Sequence, residues 1–179
     1  MGEGRGARRS ISVGDPTWSY AGVRKQANRA RHALGARGIG FDDRVLMLLF
    51  DGIAVVECWF GTLKSGATFC MANPLGTADD LDYLLGYTRC RAVVADESTM
   101  ERLAPLMDKH PHCRVRLVVG AENAEPGWAR WEDALAEASD VTDNADTSRD
   151  DVAGWLFTSG TTGKPKGAVH FHRHFPFLS

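Results

Sequence analysis

The longest fully apolar run, Val45 to Phe50, is about a third of what a helical bilayer span needs. No membrane span is therefore expected. The start, Met1-Gly2-Glu3-Gly4-Arg5, lacks the apolar stretch of a secretory signal. Cysteine is scarce: Cys58, Cys70, Cys90 and Cys113 never form a CxxC pair, and two of them lie inside apolar segments. That pattern predicts a reduced, cytoplasmic protein with buried thiols. Gly 19 and Pro 7 are too few for a fibrous or low-complexity chain. Charge of one sign is lacking too. The balance of 21 basic against 23 acidic residues, 21 − 23 = −2, does not suggest a nucleic-acid partner.

What is present suits a globular chain. Hydrophobic residues make up 44% of 179, too many for a disordered tail, and the length fits one ordinary domain. Positive charge gathers near the start, at Arg5, Arg8, Arg9, Arg24, Lys25, Arg29 and Arg31. No aromatic residues interleave with it, so a solvated helix face explains it better than a nucleic-acid or lipid patch.

Apolar residues alternate between short runs and helical stripes. The runs Val45–Phe50, Ala67–Ala72, Ala92–Ala95 and Val115–Val119 recur every 24 residues, taking Val45, Phe69, Val93 and Leu117 as markers. One strand, one helix and two turns fill that period, which predicts an α/β fold with a parallel βα sheet and flanking helices. Helical spacing links Val23, Ala27, Ala30 and Leu34, then Ile53, Val56, Phe60 and Leu63, then Leu81, Leu84, Leu85 and Thr88. Thr77 with Asp80 predicts a capping box, and Ser98 with Glu101 a second one. Pro105 should kink or shorten the helix that carries Leu103, Leu106 and Met107. Trp131, Leu135 and Ala138 suggest a last helix. The polar run Ser139–Asp151 reads as an exposed linker. It divides a βα sheet region, 1–150, from a segment, 151–179, with strands at Gly154–Phe157 and Ala168–His172 and the start of a further helix.

Between those two strands lies Thr158-Ser159-Gly160-Thr161-Thr162-Gly163-Lys164-Pro165-Lys166-Gly167. Glycines let backbone N–H groups approach an anion closely, hydroxyls add donors, and successive N–H groups can form an anion-holding nest. Two lysines supply compact positive charge. The loop is no Walker A motif, because position 158 is Thr and position 165 is Pro where that motif needs Gly and Ser or Thr. A plain polar hairpin turn would not need two lysines, so phosphate binding is the expectation.

The segment from Leu156 to Gly167 resembles the signature loop of the adenylate-forming (AMP-dependent synthetase and ligase) superfamily. Thr17-Trp18-Ser19-Tyr20-Ala21-Gly22-Val23 is similar to the family's opening stretch, with Gly22 in place of the usual acidic residue. Leu63-Lys64-Ser65-Gly66-Ala67-Thr68-Phe69-Cys70-Met71-Ala72-Asn73-Pro74 is similar to its L-K-x-G-A … N-P stretch. The resemblance implies the N-terminal part of an ATP-dependent acid:CoA ligase. Such an enzyme forms an acyl-adenylate with release of pyrophosphate, then an acyl-CoA thioester. ATP, Mg2+ and coenzyme A are implied as its reactants.

Carried over, Thr158, Ser159, Thr161 and Thr162 would be hydroxyl donors to phosphate, and Gly160, Gly163 and Gly167 would permit close backbone approach. Lys166 would neutralise the departing pyrophosphate, and Lys164 would be an outer charge. The tail Val169-His170-Phe171-His172-Arg173 resembles that of benzoate-type, aryl or medium-chain acid:CoA ligases, which implies a small aromatic or medium-chain carboxylate. The family's later acidic, ribose-binding and hinge segments are not found, so the chain reads as an incomplete ligase domain. Two other readings stand beside it. One is an inactive remnant that binds phosphate or a partner chain and self-associates through exposed sheet edges. The other is a metal site built from His170, His172 and His174 with His110, His112 or Cys113.

Overall fold

The computed structural model describes residues 9–12, 17–158 and 163–175. A short antiparallel hairpin, β1 (Arg9–Ser12) and β2 (Thr17–Ser19), precedes helix α1 (Tyr20–Ala36). The main sheet follows with β3 (Arg44–Leu48), β4 (Thr68–Met71), β5 (Ala92–Asp96), β6 (Val115–Val119), β7 (Ala129–Arg130), β8 (Val152–Thr158) and β9 (Lys166–Phe171). Helices α2 (Ile53–Lys64), α3 (Ala78–Thr88), α4 (Glu97–Leu103) and α5 (Trp131–Ala136) lie between them. The spatial order is β7-β6-β5-β3-β4-β8-β9, parallel except for β9.

Both faces of this sheet are covered, which is why its inner strands read as unbroken apolar runs. Val45, Met47 and Phe69 join α1, α2 and α5 in one core cluster. Leu46, Leu48 and Cys70 join α3 and α4 in the other. The 24-residue period is correct for the strands, and Val45 pairs with Phe69. The winding then reverses: β5 crosses back to the far side of β3, where Val45 meets Ala92. A parallel crossover keeps one hand, so this reversal sends α2 to one face and α3 to the other. Loops at the carboxyl ends of strands beside such a reversal form the usual ligand crevice.

Helices α1 and α3 open on local caps. The Ser19 hydroxyl accepts from the Gly22 N–H at 3.1 Å and opens α1, a cap worth about 1 kcal/mol. Helices α1 and α2 touch through Gly61, where a Cβ would stand 2.4 Å from that of Ala30. The expected Thr77–Asp80 capping box is present. The second expected box is not. Helix α4 begins at Glu97, with Asp96 at its cap, so Ser98 and Glu101 sit inside the helix. Asp96 instead accepts the Phe50 N–H, a partner 46 positions away. Leu103 ends α4, and Pro105 lies in the following 3-10 turn, Ala104–Lys109, as a ring without an N–H requires.

The hairpin β1–β2 has no apolar alternation long enough to announce it. Ser139–Asp151 is exposed but tied down: Asn28 Nδ2 donates to the Asp140 carbonyl at 2.7 Å, and the Ala145 N–H to the Lys64 carbonyl at 2.8 Å. All four cysteines are free and buried. No helix among the described residues is long and apolar enough to cross a membrane.

Candidate phosphate-loop site

Strand β8 is held on both edges. Phe69, Cys70 and Met71 of β4 pair with Gly154, Trp155 and Leu156 on one side. Gly167 and Lys166 of β9 pair with Phe157 and Thr158 on the other. Gly154 is where the sheet is tightest, since a Cβ there would lie 2.2–2.4 Å from three atoms of the Phe69 ring. Phe69 is in turn boxed by Trp59 and Phe175, with ring centroids 5.8 and 6.1 Å away. The opposite face of β8 packs on α3, where the Tyr87 ring stands 6.1 Å from Trp155 and 5.7 Å from Phe157.

This frame places Thr158 and Lys166 opposite one another at the mouth of the hairpin, and the Thr158 hydroxyl donates to the Lys166 carbonyl at 3.5 Å. Of the expected phosphate-binding residues, Ser159, Gly160, Thr161 and Thr162 lie outside the described residues. Gly163 has φ 153°, a backbone only glycine takes readily, with nothing within 4 Å of where a Cβ would stand. Gly167 leaves room for Trp155 and Phe157, both 3.4 Å from its absent Cβ.

The two lysines differ. Lys164 lies over the Tyr83 ring at 5.4 Å and 3.9 Å from the Asp80 carboxylate. Tyr83 also donates its hydroxyl to the Pro165 carbonyl at 3.2 Å, so α3 grips the returning limb of the loop. Lys166 is exposed, and none of the ion pairs among the described residues involves it. Cross-strand pairs share a face, which turns Lys166 with Thr158 away from the Phe157 side.

Asp80 and Tyr83 were not legible as loop partners, because nothing in the capping box or the α3 stripe points 80 residues downstream. Asp80 accepts from the Thr77 hydroxyl at 2.7 Å and the Thr77 N–H at 3.0 Å. Those bonds, with Lys164 adding to them, hold its carboxyl below the ordinary value. Asp80, Asn73, Gly76, Phe157, Thr158 and Pro165 border a cleft of about 260 Å³ at the carboxyl ends of β4 and β8. Its floor is fixed by Arg102, which donates to the Pro74 and Gly76 carbonyls at 2.6 and 2.5 Å.

The histidines do not assemble a metal site. A 3-10 turn at His172–His174 breaks the period-two spacing. His170 meets the His174 ring edge-on and packs at a tilt on Phe175, with centroids 5.8 Å away in each case. Desolvation lowers the pKa of the half-buried His172. His110 pairs with Asp82 at 2.9 Å, and His112 with the Leu85 carbonyl at 3.1 Å. Among the described residues no three His, Cys, Asp or Glu side chains could hold an ion.

Comparison with known proteins agrees with the loop and the sheet. Residues 3–177 match the family described as AMP-binding enzyme. Thauera aromatica 3-hydroxybenzoate–CoA/4-hydroxybenzoate–CoA ligase is 30% identical over 97% of this chain and 33% of its own length. Benzoate–CoA ligase from the same organism is 33% identical over 94% of this chain and 32% of its own. The crystal structure of the anthranilate CoA ligase AuaEII in complex with anthranoyl-AMP superposes with a TM-score of 0.91 at 26% identity, over 96% of this chain and 33% of that one. The chain thus spans about a third of the length of the curated relatives it matches. By its motifs, its sheet and these matches, the chain belongs to the AMP-binding enzyme family.

Proposed function

We propose that this chain supplies the phosphate-handling end of an ATP-dependent acid:CoA ligase whose acid is aromatic or medium-chain. The observation that carries the reading is the Thr158–Lys166 pair at the carboxyl end of β8, where Lys166 is exposed and makes no ion pair with a described residue. The loop holds the β- and γ-phosphates of ATP while the substrate carboxylate attacks the α-phosphate. Pyrophosphate leaves and the acyl-adenylate forms. Coenzyme A then takes the acyl group and AMP leaves. Magnesium, brought with ATP, would supply further neutralisation of phosphate charge. Lys166 acts electrostatically on the departing pyrophosphate, and Thr158 with the loop N–H groups orients it. Lys164, engaged by Asp80 and Tyr83, positions the loop.

Titration of the chain with ATP tests this. Lys166→Ala should weaken binding at least tenfold, the scale of one charge-assisted contact at about 1.5–3 kcal/mol, with the melting temperature unchanged. Equal affinity in the variant would remove Lys166 from the site.

A second reading is that the chain binds phosphate or a partner chain without turnover. Incubation of the chain with ATP, benzoate and hydroxylamine tests for turnover. No hydroxamate is expected from this chain by itself, and clear hydroxamate would mean that it holds a complete catalytic set.

A further inference from the structure

The end of the sheet opposite the phosphate loop carries a second concentration of chemistry. Arg44 begins β3, Arg91 immediately precedes β5 and Arg114 immediately precedes β6. The strand register aligns Val45 with Ala92 and Ala92 with Val115. One residue earlier, the three arginines therefore occupy a single rung across three adjacent strands. Backbone bonds fix that rung: the Arg91 N–H donates to the Arg44 carbonyl at 2.9 Å and the Arg114 N–H to the Arg91 carbonyl at 3.0 Å. Neighbouring strands lie about 4.8 Å apart, and like charges side by side on them repel.

Arg89, at the left-handed end of α3 with φ 47°, and His112 complete the rim, and these five residues with Asp43 enclose a concavity of about 270 Å³. Their charges are unevenly spent. Arg44 gives its three donor nitrogens to the Thr88, Asp42 and Arg89 carbonyls at 2.6, 3.3 and 3.4 Å. Asp43 is the one carboxylate, and it is shared between Arg91 at 3.3 Å and the Gly40 N–H at 3.0 Å. Arg89 and Arg114 are exposed and make no ion pair with a described residue. Four guanidiniums against one carboxylate leave a formal charge of 4 − 1 = +3 in one hollow of a chain whose net charge is −2.

We propose that this hollow is a binding site for a small diphosphate, distinct from the phosphate loop, which leaves the carboxyl end of β8, three strands from β5 and at the opposite end of the sheet. Guanidinium forks match the paired oxygens of phosphoryl groups. A diphosphate carries enough charge to offset the rung, and the hollow is smaller than the 300–1,000 Å³ usual for larger ligands. Arg91 and Arg114 are its principal contacts, with Arg89 closing over it and Arg44 holding the floor.

Calorimetric titration of the whole chain with inorganic pyrophosphate at 0.15 M salt tests the site. Three proteins are needed: wild type, the double variant Arg91→Gln/Arg114→Gln, and Lys166→Ala, which isolates any binding at the loop. The proposal expects pyrophosphate to bind Lys166→Ala and to bind the double variant at least tenfold more weakly. Removal of rung repulsion should leave the melting temperature of the double variant at or above that of wild type. If the double variant does not fold, Arg114→Gln alone, at an exposed position, replaces it with the same expectation. ADP bound as tightly as pyrophosphate would assign the site to an esterified diphosphate, and ADP bound tenfold more weakly to the free ion; both uphold it. Loss of all binding in Lys166→Ala, equal affinity in the arginine variant, or sulfate bound as tightly as pyrophosphate would each overturn it.

Discussion

Gly154→Ala asks whether the loop-bearing strand is seated as tightly as its packing against Phe69 requires. A methyl at this position would meet three atoms of the Phe69 ring at 2.2, 2.3 and 2.4 Å, more than 1 Å inside van der Waals contact. The ring has nowhere to go, because it is buried and flanked by Trp59 and Phe175. The backbone argument points the other way: Gly154 is not among the residues with positive φ, and alanine in a strand is favoured over glycine by about 0.5–1 kcal/mol. Sterics should win, since overpacking costs about 1–3 kcal/mol or more in a core that cannot relax. A net loss of about 2 kcal/mol corresponds to a fall of about 4–8 °C in the melting temperature of a domain this size. Calorimetry of wild type, Gly154→Ala, Phe69→Leu and the double variant measures it. The cycle should show the two changes compensating by about 1 kcal/mol or more, as leucine vacates the space that the methyl enters. Gly154→Ala melting at or above the wild-type temperature, with no coupling to Phe69→Leu, would refute this account of β8.

Tyr83→Phe removes the hydroxyl that donates to the Pro165 carbonyl and should cost about 1 kcal/mol, read as a melting temperature about 2–4 °C lower. Glu57 is buried beside Trp131, whose indole N–H it accepts at 3.0 Å, and desolvation raises its carboxyl above the ordinary 4.5. A raised acid stabilises the fold below its unfolded pKa and loses that contribution as pH rises through the folded value. Glu57→Gln, which keeps an acceptor for Trp131, should therefore gain on wild type as pH increases from 4.5 to 8; melting curves across that range check the sign. Burial pushes the Cys58 thiol up to about 12 and raises Cys70 further. With all four thiols buried, a thiol-reactive dye should label the native chain negligibly and all four cysteines after denaturation.

The parts legible in the sequence were those encoded over short distances. Apolar runs located the inner strands to within a residue or two, because strands buried on both faces must be apolar throughout. The Thr77–Asp80 box fixed the start of α3, since both halves of that interaction lie within one turn. The Ser98–Glu101 pattern misled because Asp96 already stood at the end of β5, where the chain leaves the strand. The choice of cap was made by the strand end and the Phe50 N–H, which the local pattern does not contain. Sheet order was equally hidden: a 24-residue period is the same whether β5 lands beyond β4 or beyond β3. In the site, two strands about a loop were legible, but the pairing of Thr158 with Lys166 was not, because both strands run further into the loop than Phe157 and Ala168 suggested. Tyr83 and Asp80 were not, because a helix must first be folded across the sheet before it can touch Lys164 and Pro165.

That difference separates what holds the loop from what the loop does. The β8–β9 hairpin is anchored at its base by β4, at its flank by Tyr83, and at its far end where the His172 and Arg173 N–H groups reach the Asp151 and Arg149 carbonyls at 3.1 and 2.9 Å. None of these anchors uses the Lys166 ammonium, and the Thr158 hydroxyl is engaged only by the Lys166 carbonyl at 3.5 Å among the described residues. An anion-binding loop works best when its donors are not already committed to the fold, because a donor withdrawn from an internal partner returns only the difference between two bonds. Lys164 violates this economy through Asp80, but at 3.9 Å and half exposed that pair contributes only about 0–1 kcal/mol, small enough for an incoming polyphosphate to outcompete. The aromatic anchors carry the fold and leave the Lys166 ammonium without an ion-pair partner among the described residues, as the proposed phosphate role requires.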